Sequence, residues 1–478
     1  MIFCTSVCAN YLPKAMVLAE SLKKHNPNSE FVVCLVEKTI EEAAEKFEYF
    51  DYVVLSKDIG IRDFDNFIFR HTIVEASTAV KGDLFEYLLN NFKDEDKFVY
   101  LDPDIMVYSS FSELDSILEK NEIVLTPHTY FPEAGEEFNN GIFLECNHLK
   151  RGVYNLGFLG IRRGEESSKF ITWWKNRLNL LCYDEVDKGL FVDQKWIDLA
   201  PALFNVYILK EPGYNLAYWN LSKRNISIQE GKDYYANDKP LVFVHFSGWD
   251  SGFNNTAIAT YAPNVNELIH EINKQYNAQL SEMDKYNLSK AKWSYNYFDN
   301  GDEIPRGIRI IYRNSEVLQQ LYTHPFGQLN GELGEYLEGL YNIKDNNPEA
   351  DKWSIIDNYI NEVCLLDKEW KAKKRIELGI LKLILGGVEK KCIIWGASNG
   401  GKIMKKVLDV FYEDVKIAGF IDKYKTGEFE GYNIYKPGQL KELSFDYAFI
   451  ATSPGKADAE KYLKSNGCLP YKDYYSLF

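Results

Sequence analysis

The sequence predicts an α/β protein in three parts. Three observations carry that expectation. Short apolar runs alternate with helix-spaced segments from the second residue onward, the pattern of a doubly wound sheet with helices on both faces. Leu, Glu, Lys and Tyr recur at helical spacing over residues 314–380. The strand–helix alternation then restarts at Lys391. The expected parts are a sheet domain over 1–258, a mainly helical connector over 259–385 and a small α/β module over 386–478. The 478 residues suit about two to four domains.

The elements follow in order. Ile2 to Val7 reads as a buried strand, Ala15 to Lys24 as a helix, Phe31 to Val36 as a strand, Ile40 to Phe47 as a helix and Tyr52 to Leu55 as a strand. This alternation predicts parallel pairing. In such a sheet the loop after the first strand faces the ligand crevice. Thr5, Ser6, Asn10 and Tyr11 are assigned to that loop, where they can hydrogen-bond to and stack on a base. Phe67 to Leu89 reads as one long helix or two short ones, with Glu75, Thr78 and Lys81 on nearly one face. Pro132 to Leu144 is polar and contains glycine, the composition of a loop able to cover a site. Val153 to Ile161 is an apolar strand interrupted by Asn155, Gly157 and Gly160, and glycine there marks close approach of a ligand or another backbone. Lys169 to Leu181 is a helix. Asp193 and Gln194 open a short helix, where Asp193 has an ordinary use as N-cap. Leu241 to Phe246 is a strand that carries His245 near its end. Ala262 to Met283 is amphipathic.

Composition narrows the function. A net charge of −15 excludes a general nucleic-acid binder, which needs a basic surface. Eight cysteines without zinc spacing read as reduced, mostly buried thiols, which predicts a cytoplasmic protein. No stretch approaches the roughly 20 apolar residues of a membrane span.

The chemistry centres on Phe98-Val99-Tyr100-Leu101-Asp102-Pro103-Asp104-Ile105-Met106-Val107-Tyr108. Pro103 lacks an N–H, so a sheet ladder breaks there and leaves two acids at a strand's carboxyl end. Hard carboxylate oxygens in a short turn suit Mn²⁺ or Mg²⁺, and an acidic turn is the plain alternative. A strand at residue 2, Lys81, Asp102-Pro103-Asp104, Tyr154-Asn155-Leu156-Gly157, Asp193-Gln194, Pro212-Gly213-Tyr214-Asn215 and Val244-His245-Phe246-Ser247-Gly248 occur in that order.

That order resembles the GT-A glycosyltransferases, above all the retaining branch that includes glycogenin and the bacterial lipopolysaccharide galactosyltransferases. The resemblance covers about residues 1–255. It implies a mixed sheet and a nucleotide-sugar donor, with UDP expected. It also implies Mn²⁺ (or Mg²⁺) on Asp102, Asp104 and His245, and Thr5, Asn10 and Tyr11 at the base and ribose. Lys81 would lie near the nucleotide, and Asn155, Asp193 and Gln194 would face the donor sugar and the acceptor hydroxyl. The implied activity is transfer of a hexose or N-acetylhexosamine to a bacterial glycan or protein. The family's lysine after the late His-x-x-Gly element is absent, since Trp249-Asp250 follow Gly248. Two other readings stand beside it. A sugar nucleotidyltransferase needs a glycine-rich loop after the first strand, and residues 5–14 contain no glycine. A binding or scaffold protein would work through the C-terminal module.

That module shows Cys392 to Trp395, a turn with Gly396, Gly400 and Gly401, a helix, and a second strand ending at Asp422. It resembles a Rossmann-type unit, although its glycines depart from G-x-G-x-x-G. Oligomerisation through this module is a further expectation.

Overall fold

The structure is a computed structural model that describes residues 1–132, 139–229, 233–249, 251–285, 287–341 and 368–477. The described residues fall into two compact units, Met1–Asn296 and Tyr297–Phe478. No described helix is long and apolar enough to cross a membrane.

The first unit is built on a seven-stranded sheet. Its principal strands are β1 (Ile2–Val7), β2 (Glu30–Leu35), β3 (Tyr52–Leu55), β4 (Lys97–Leu101), β6 (Ile123–Pro127) and β7 (Tyr154–Arg162), with β5 (Ile105–Val107) just beyond β4. The order runs Tyr207–Ile208, β6, β7, β4, β1, β2, β3. The strands β1, β2, β3 and β4 pair in parallel, as strand–helix alternation requires. Parallel pairing alone is nonetheless incorrect for the whole sheet. β7 runs antiparallel to both β4 and β6, so the sheet is mixed. Continuous apolar runs explain the burial: every residue of β1, β4 and β6 is buried. The core joins Phe3, Val33, Val99 and Phe158 from the sheet to Leu12, Ala15 and Leu22 from the helix Leu12–His25.

Several elements differ from the sequence expectation. The stretch 67–89 holds parts of three helices, Phe64–Phe69, Ile73–Ala79 and Lys81–Asn91. Thr72 and Glu75 form a capping box that starts the second one afresh. The loop expected over 132–144 does not extend to Leu144. A helix spans Asn140–Arg151, because Asn139 Oδ1 accepts from the Gly141 and Ile142 N–H groups. Residues 133–138 lie outside the described residues. Ala262–Met283 is not one helix. Phe253–Tyr261 precedes it, and the amphipathic helix is Glu267–Met283. That helix and the turns up to Asn296 belong to the first unit, which extends beyond residue 258.

The second unit contains the helices Arg306–Asn314, Glu316–Leu321, Gly331–Tyr341 and Lys368–Leu385, then a six-stranded sheet. In that sheet Lys390–Trp395 lies between Val415–Ile421 and Tyr447–Ile450, all parallel. Sequence reading found those three strands and missed Gly427–Phe429, Tyr432–Tyr435 and Tyr474–Ser476. Each missed strand has three or four residues, too short for a period-two pattern.

Candidate active site

The turn between β4 and β5 carries Asp102 and Asp104. The Asp102 N–H donates to the Gly157 carbonyl at 2.9 Å, which ties the turn to β7. β5 pairs antiparallel with Phe243–His245, and Ile105 stands opposite His245. The Phe246 N–H donates to the Asp104 carbonyl at 2.8 Å. This register decides the site, because a slip of one residue would turn the imidazole to the opposite face. His245 Nε2 lies 3.1 Å from Asp104 Oδ1 and 3.8 Å from Asp102 Oδ2. One ligand atom from each of the three residues lies within 4.8 Å of the others. Two carboxylates and one imidazole form a donor set that fits Mn²⁺ or Mg²⁺.

Gly157 makes room for this arrangement. A Cβ there would sit 2.5 Å from His245 Cε1 and 2.7 Å from Nδ1. The close neighbour at this glycine is the His245 side chain, where a ligand or another backbone was expected.

The layer behind these three side chains is polar and joined by hydrogen bonds. Gln194 Nε2 donates to the Arg151 carbonyl at 3.0 Å, and Gln194 Oε1 accepts from the Leu156 N–H at 3.2 Å. Backbone partners therefore fix that amide's orientation. Asn155 Nδ2 then donates to Gln194 Oε1 at 3.3 Å, which leaves Asn155 Oδ1 to accept from Gly157 N–H and Asn215 Nδ2 at 3.1 and 3.0 Å. The same oxygen lies 3.2 Å from His245 Nδ1. An amide oxygen only accepts, so Nδ1 carries a proton. Nε2 is then the nitrogen that faces the carboxylates: protonated, it donates to Asp104 Oδ1, and a bound cation would take its lone pair instead. His128 completes the layer, with Nδ1 on the Val153 carbonyl and Nε2 facing Asn155 Nδ2.

Charge is equally ordered. Lys81 is 2% exposed. Its Nζ lies 2.8 Å from Asp193 Oδ2 and 3.2 Å from Asp102 Oδ1, and donates to the Leu156 carbonyl at 3.0 Å. Burial lowers the ammonium's pKa, and Asp102 and Asp193 more than reverse this. Burial raises the Asp193 carboxyl, and the adjacent Lys81 only partly offsets it. Burial would also raise Asp104, but His245 and Lys14 hold it down at about 2. His245 moves upward: burial lowers it, and Asp104 and Asp102 outweigh that.

The predicted residues thus separate into groups. Asp102, Asp104 and His245 converge, with Lys81 and Asp193 beside them. Asp193 makes no capping bond, since its carboxylate faces Lys81. Asn155 and Gln194 are buried and engaged with the chain itself, behind the ligands. Thr5 and Ser6 are not in a loop but on β1. Ser6 Oγ donates to the Ser77 carbonyl at 2.6 Å and meets Tyr100 OH at 3.0 Å. Among the described residues Thr5 Oγ1, within β1, and Asn10 Oδ1, in the turn after it, are buried without a hydrogen-bond partner, which leaves both open to a ligand's donor. Tyr11 follows in the turn, and Lys14 Nζ stands 3.9 Å from its ring centroid. Sequence reading missed His128, and it named Asn215 and Tyr100 within their motifs without giving either a role. Tyr100 OH donates to Asp102 Oδ1 at 3.0 Å. A polar residue within an apolar run was the one available signal for it.

Residues 3–251 match the family model described as Glycosyl transferase family 8. The chain belongs to that family. It is a glycosyltransferase, and its first unit carries the mixed sheet of the GT-A type. Residues 388–472 match a second model, described as C2185-like, N-terminal. Among the relatives of this family 8 member are two from Bacillus subtilis (strain 168). "Uncharacterized protein YfnF" is 25% identical over 262 residues, covering 52% of this chain and 81% of that protein. "Uncharacterized protein YfnD" is 23% identical over 252 residues, covering 52% and 77%. Solved structures similar to this family 8 chain include the galactosyltransferase LgtC in complex with donor and acceptor sugar analogs. It is 18% identical, with a TM-score of 0.34, over 58% of this chain and 100% of LgtC. The glycosyltransferase GlyE of Streptococcus pneumoniae TIGR4 is 14% identical, with a TM-score of 0.30, over 99% of this chain and 90% of GlyE.

Proposed function

We propose that the chain transfers a hexose or N-acetylhexosamine from a UDP-linked sugar to a glycan or protein acceptor, with retention at the anomeric carbon. The observation that carries this reading is the convergence of Asp102, Asp104 and His245 within 4.8 Å beside the Lys81–Asp193 pair. A divalent cation on those three ligands would neutralise charge building on the diphosphate as it leaves. Lys81 holds Asp102 and Asp193 in place and supplies a fixed positive charge that needs no reorganisation during the reaction. Thr5, Asn10 and Tyr11 offer acceptors and a ring to the nucleoside.

The engagement of the acids and amides bears on how retention would be achieved. Gln194 uses both ends of its amide on the chain, and Asp193 is in an ion pair. This supports transfer in which the leaving phosphate takes the acceptor hydroxyl's proton as that hydroxyl attacks from the same face. It does not favour a covalent intermediate on either side chain.

The test is a panel of nucleotide sugars scored by thermal stabilisation with and without Mn²⁺, since a ligand of the native state raises its apparent stability. A UDP-sugar should stabilise the protein only with the cation, and Asp102→Ala and Asp104→Ala should abolish the difference. Equal stabilisation of wild type and both variants would refute the metal role.

A further inference from the structure

The aromatic stretch that begins at Trp293 has no part in the chemistry above, yet it lies against the proposed nucleoside pocket. The turn Ala9–Tyr11 follows β1, and its first N–H, from Ala9, donates to Glu37 Oε1 at 2.9 Å. Glu37 stands just past β2 and is 2% exposed. Its other oxygen accepts from the Ser294 N–H at 2.8 Å and from Ser294 Oγ. The Ser294 hydroxyl in turn accepts from the Lys38 N–H at 2.8 Å. On either side of Ser294, Trp293 Nε1 donates to the Val36 carbonyl at 2.9 Å and Tyr295 OH donates to the Glu37 carbonyl at 3.3 Å. A single buried carboxylate therefore joins the nucleoside turn to a segment 257 residues beyond Glu37 itself.

The arrangement is more than packing. A carboxylate buried this deeply is costly unless donors surround it. Burial raises the Glu37 carboxyl, while Ser294 and the Ala9 N–H pull it back toward its ionised form. A neighbouring atom of the same turn, Asn10 Oδ1, is buried with no hydrogen-bond partner among the described residues. The turn is thus held by Glu37 through the Ala9 N–H, while Asn10 Oδ1 remains open to a ligand's donor. Such preorganisation reduces the ordering cost of binding.

We propose that Glu37, clamped by Ser294, is a positioning residue for the donor nucleotide, holding the Ala9–Tyr11 turn in the form that receives base and ribose. This rests on the nucleotide-sugar reading given above. Calorimetric titration of the full chain with UDP and Mn²⁺ tests it. Glu37→Gln should weaken UDP about tenfold or more, because an amide N–H then faces backbone donors. Ser294→Ala should weaken UDP about fivefold with little change in melting temperature, and Ser294→Thr, which keeps the hydroxyl, should restore wild-type affinity. In turnover assays the donor KM should rise while kcat stays near wild type, a split that general destabilisation does not produce. Wild-type UDP affinity in folded Glu37→Gln and Ser294→Ala overturns the proposal, and Ser294→Ala decides alone if Glu37→Gln does not fold. A wild-type chain that binds none of UDP, GDP and CDP with Mn²⁺ refutes the nucleotide-sugar reading itself, and this proposal with it.

Discussion

Gly157 and Lys81 show how much of the site depends on single side chains. Gly157→Ala would drive a methyl into the His245 ring, where 2.5 Å separates the new carbon from Cε1. The ring has no free volume to yield into, with Asn155 Oδ1 on one side and Asp104 on the other. The expected result is loss of Mn²⁺-dependent thermal stabilisation with a modest fall in melting temperature. Lys81→Met has a different signature. It leaves Asp193 buried without its cation, and breaking a buried pair from one side costs about 3–5 kcal/mol. Adding Asp193→Asn to Lys81→Met should recover most of that stability, measured by urea unfolding, and recover no transfer activity. At this scale the sequence revealed the three side chains that converge, Asp102, Asp104 and His245, and concealed their supports. Asp-Pro-Asp is visible because proline and acids are out of place at the end of a buried strand. Asn155 and Gln194 were visible as polar residues, but their orientation depends on the Arg151 carbonyl and the Leu156 N–H, which no spacing rule brings together.

The helix Lys81–Asn91 carries one predictable conflict. Gly82 lies against the helix Glu165–Leu181, where an added Cβ would come 2.6 Å from Lys175 Cα. Gly82→Ala should therefore destabilise by about 1–3 kcal/mol through backbone displacement. Beside it, Asp83 is 3% exposed, and burial pushes its carboxyl up to about 6 while Lys175 and Asn179 pull it down. The folded pKa lies above the usual carboxylate value of about 3.9. Its contribution to stability is accordingly full below that value and is lost as pH rises through about 6. Asp83→Asn should leave the melting temperature nearly unchanged at pH 4 and raise it at pH 8, measured by calorimetry. A variant stabilised at pH 4 and not at pH 8 would reverse the assigned sign. Helix breaks were less legible than strands here. The capping box at Thr72 and Glu75 has the expected sequence form, but the apolar periodicity runs across it and hides the boundary.

For the whole molecule, the extent of the first unit is the useful quantity. A fragment of residues 1–296 keeps Trp293, Ser294 and Tyr295 against the end of β2. A fragment ending at 258 lacks them and also lacks the helix Glu267–Met283, whose Ile269, Ile272 and Tyr276 pack in a core with Val244 and Phe246. The longer fragment should unfold in one cooperative transition and bind UDP with Mn²⁺; the shorter should expose apolar surface and bind dye. Alternation of strands and helices made the sheet legible. The end of the unit was not, because Leu288 and Ala291 join the first core by packing alone and carry no boundary signal.

The register of Phe243–His245 against β5 has a consequence for synthesis. Two of the ligands emerge early, on a turn that nascent β1 and β4 can already support. The third arrives only after β6, β7 and the helices between have been made, and closing so long a loop must precede any gain from the contact. The Glu37 clamp waits longer still, for Ser294. A ribosome-bound chain therefore holds a nearly finished sheet that has no complete cation site. If Asp102, Asp104 and His245 hold a cation as proposed, its capture by the first unit would report the completion of folding rather than its beginning.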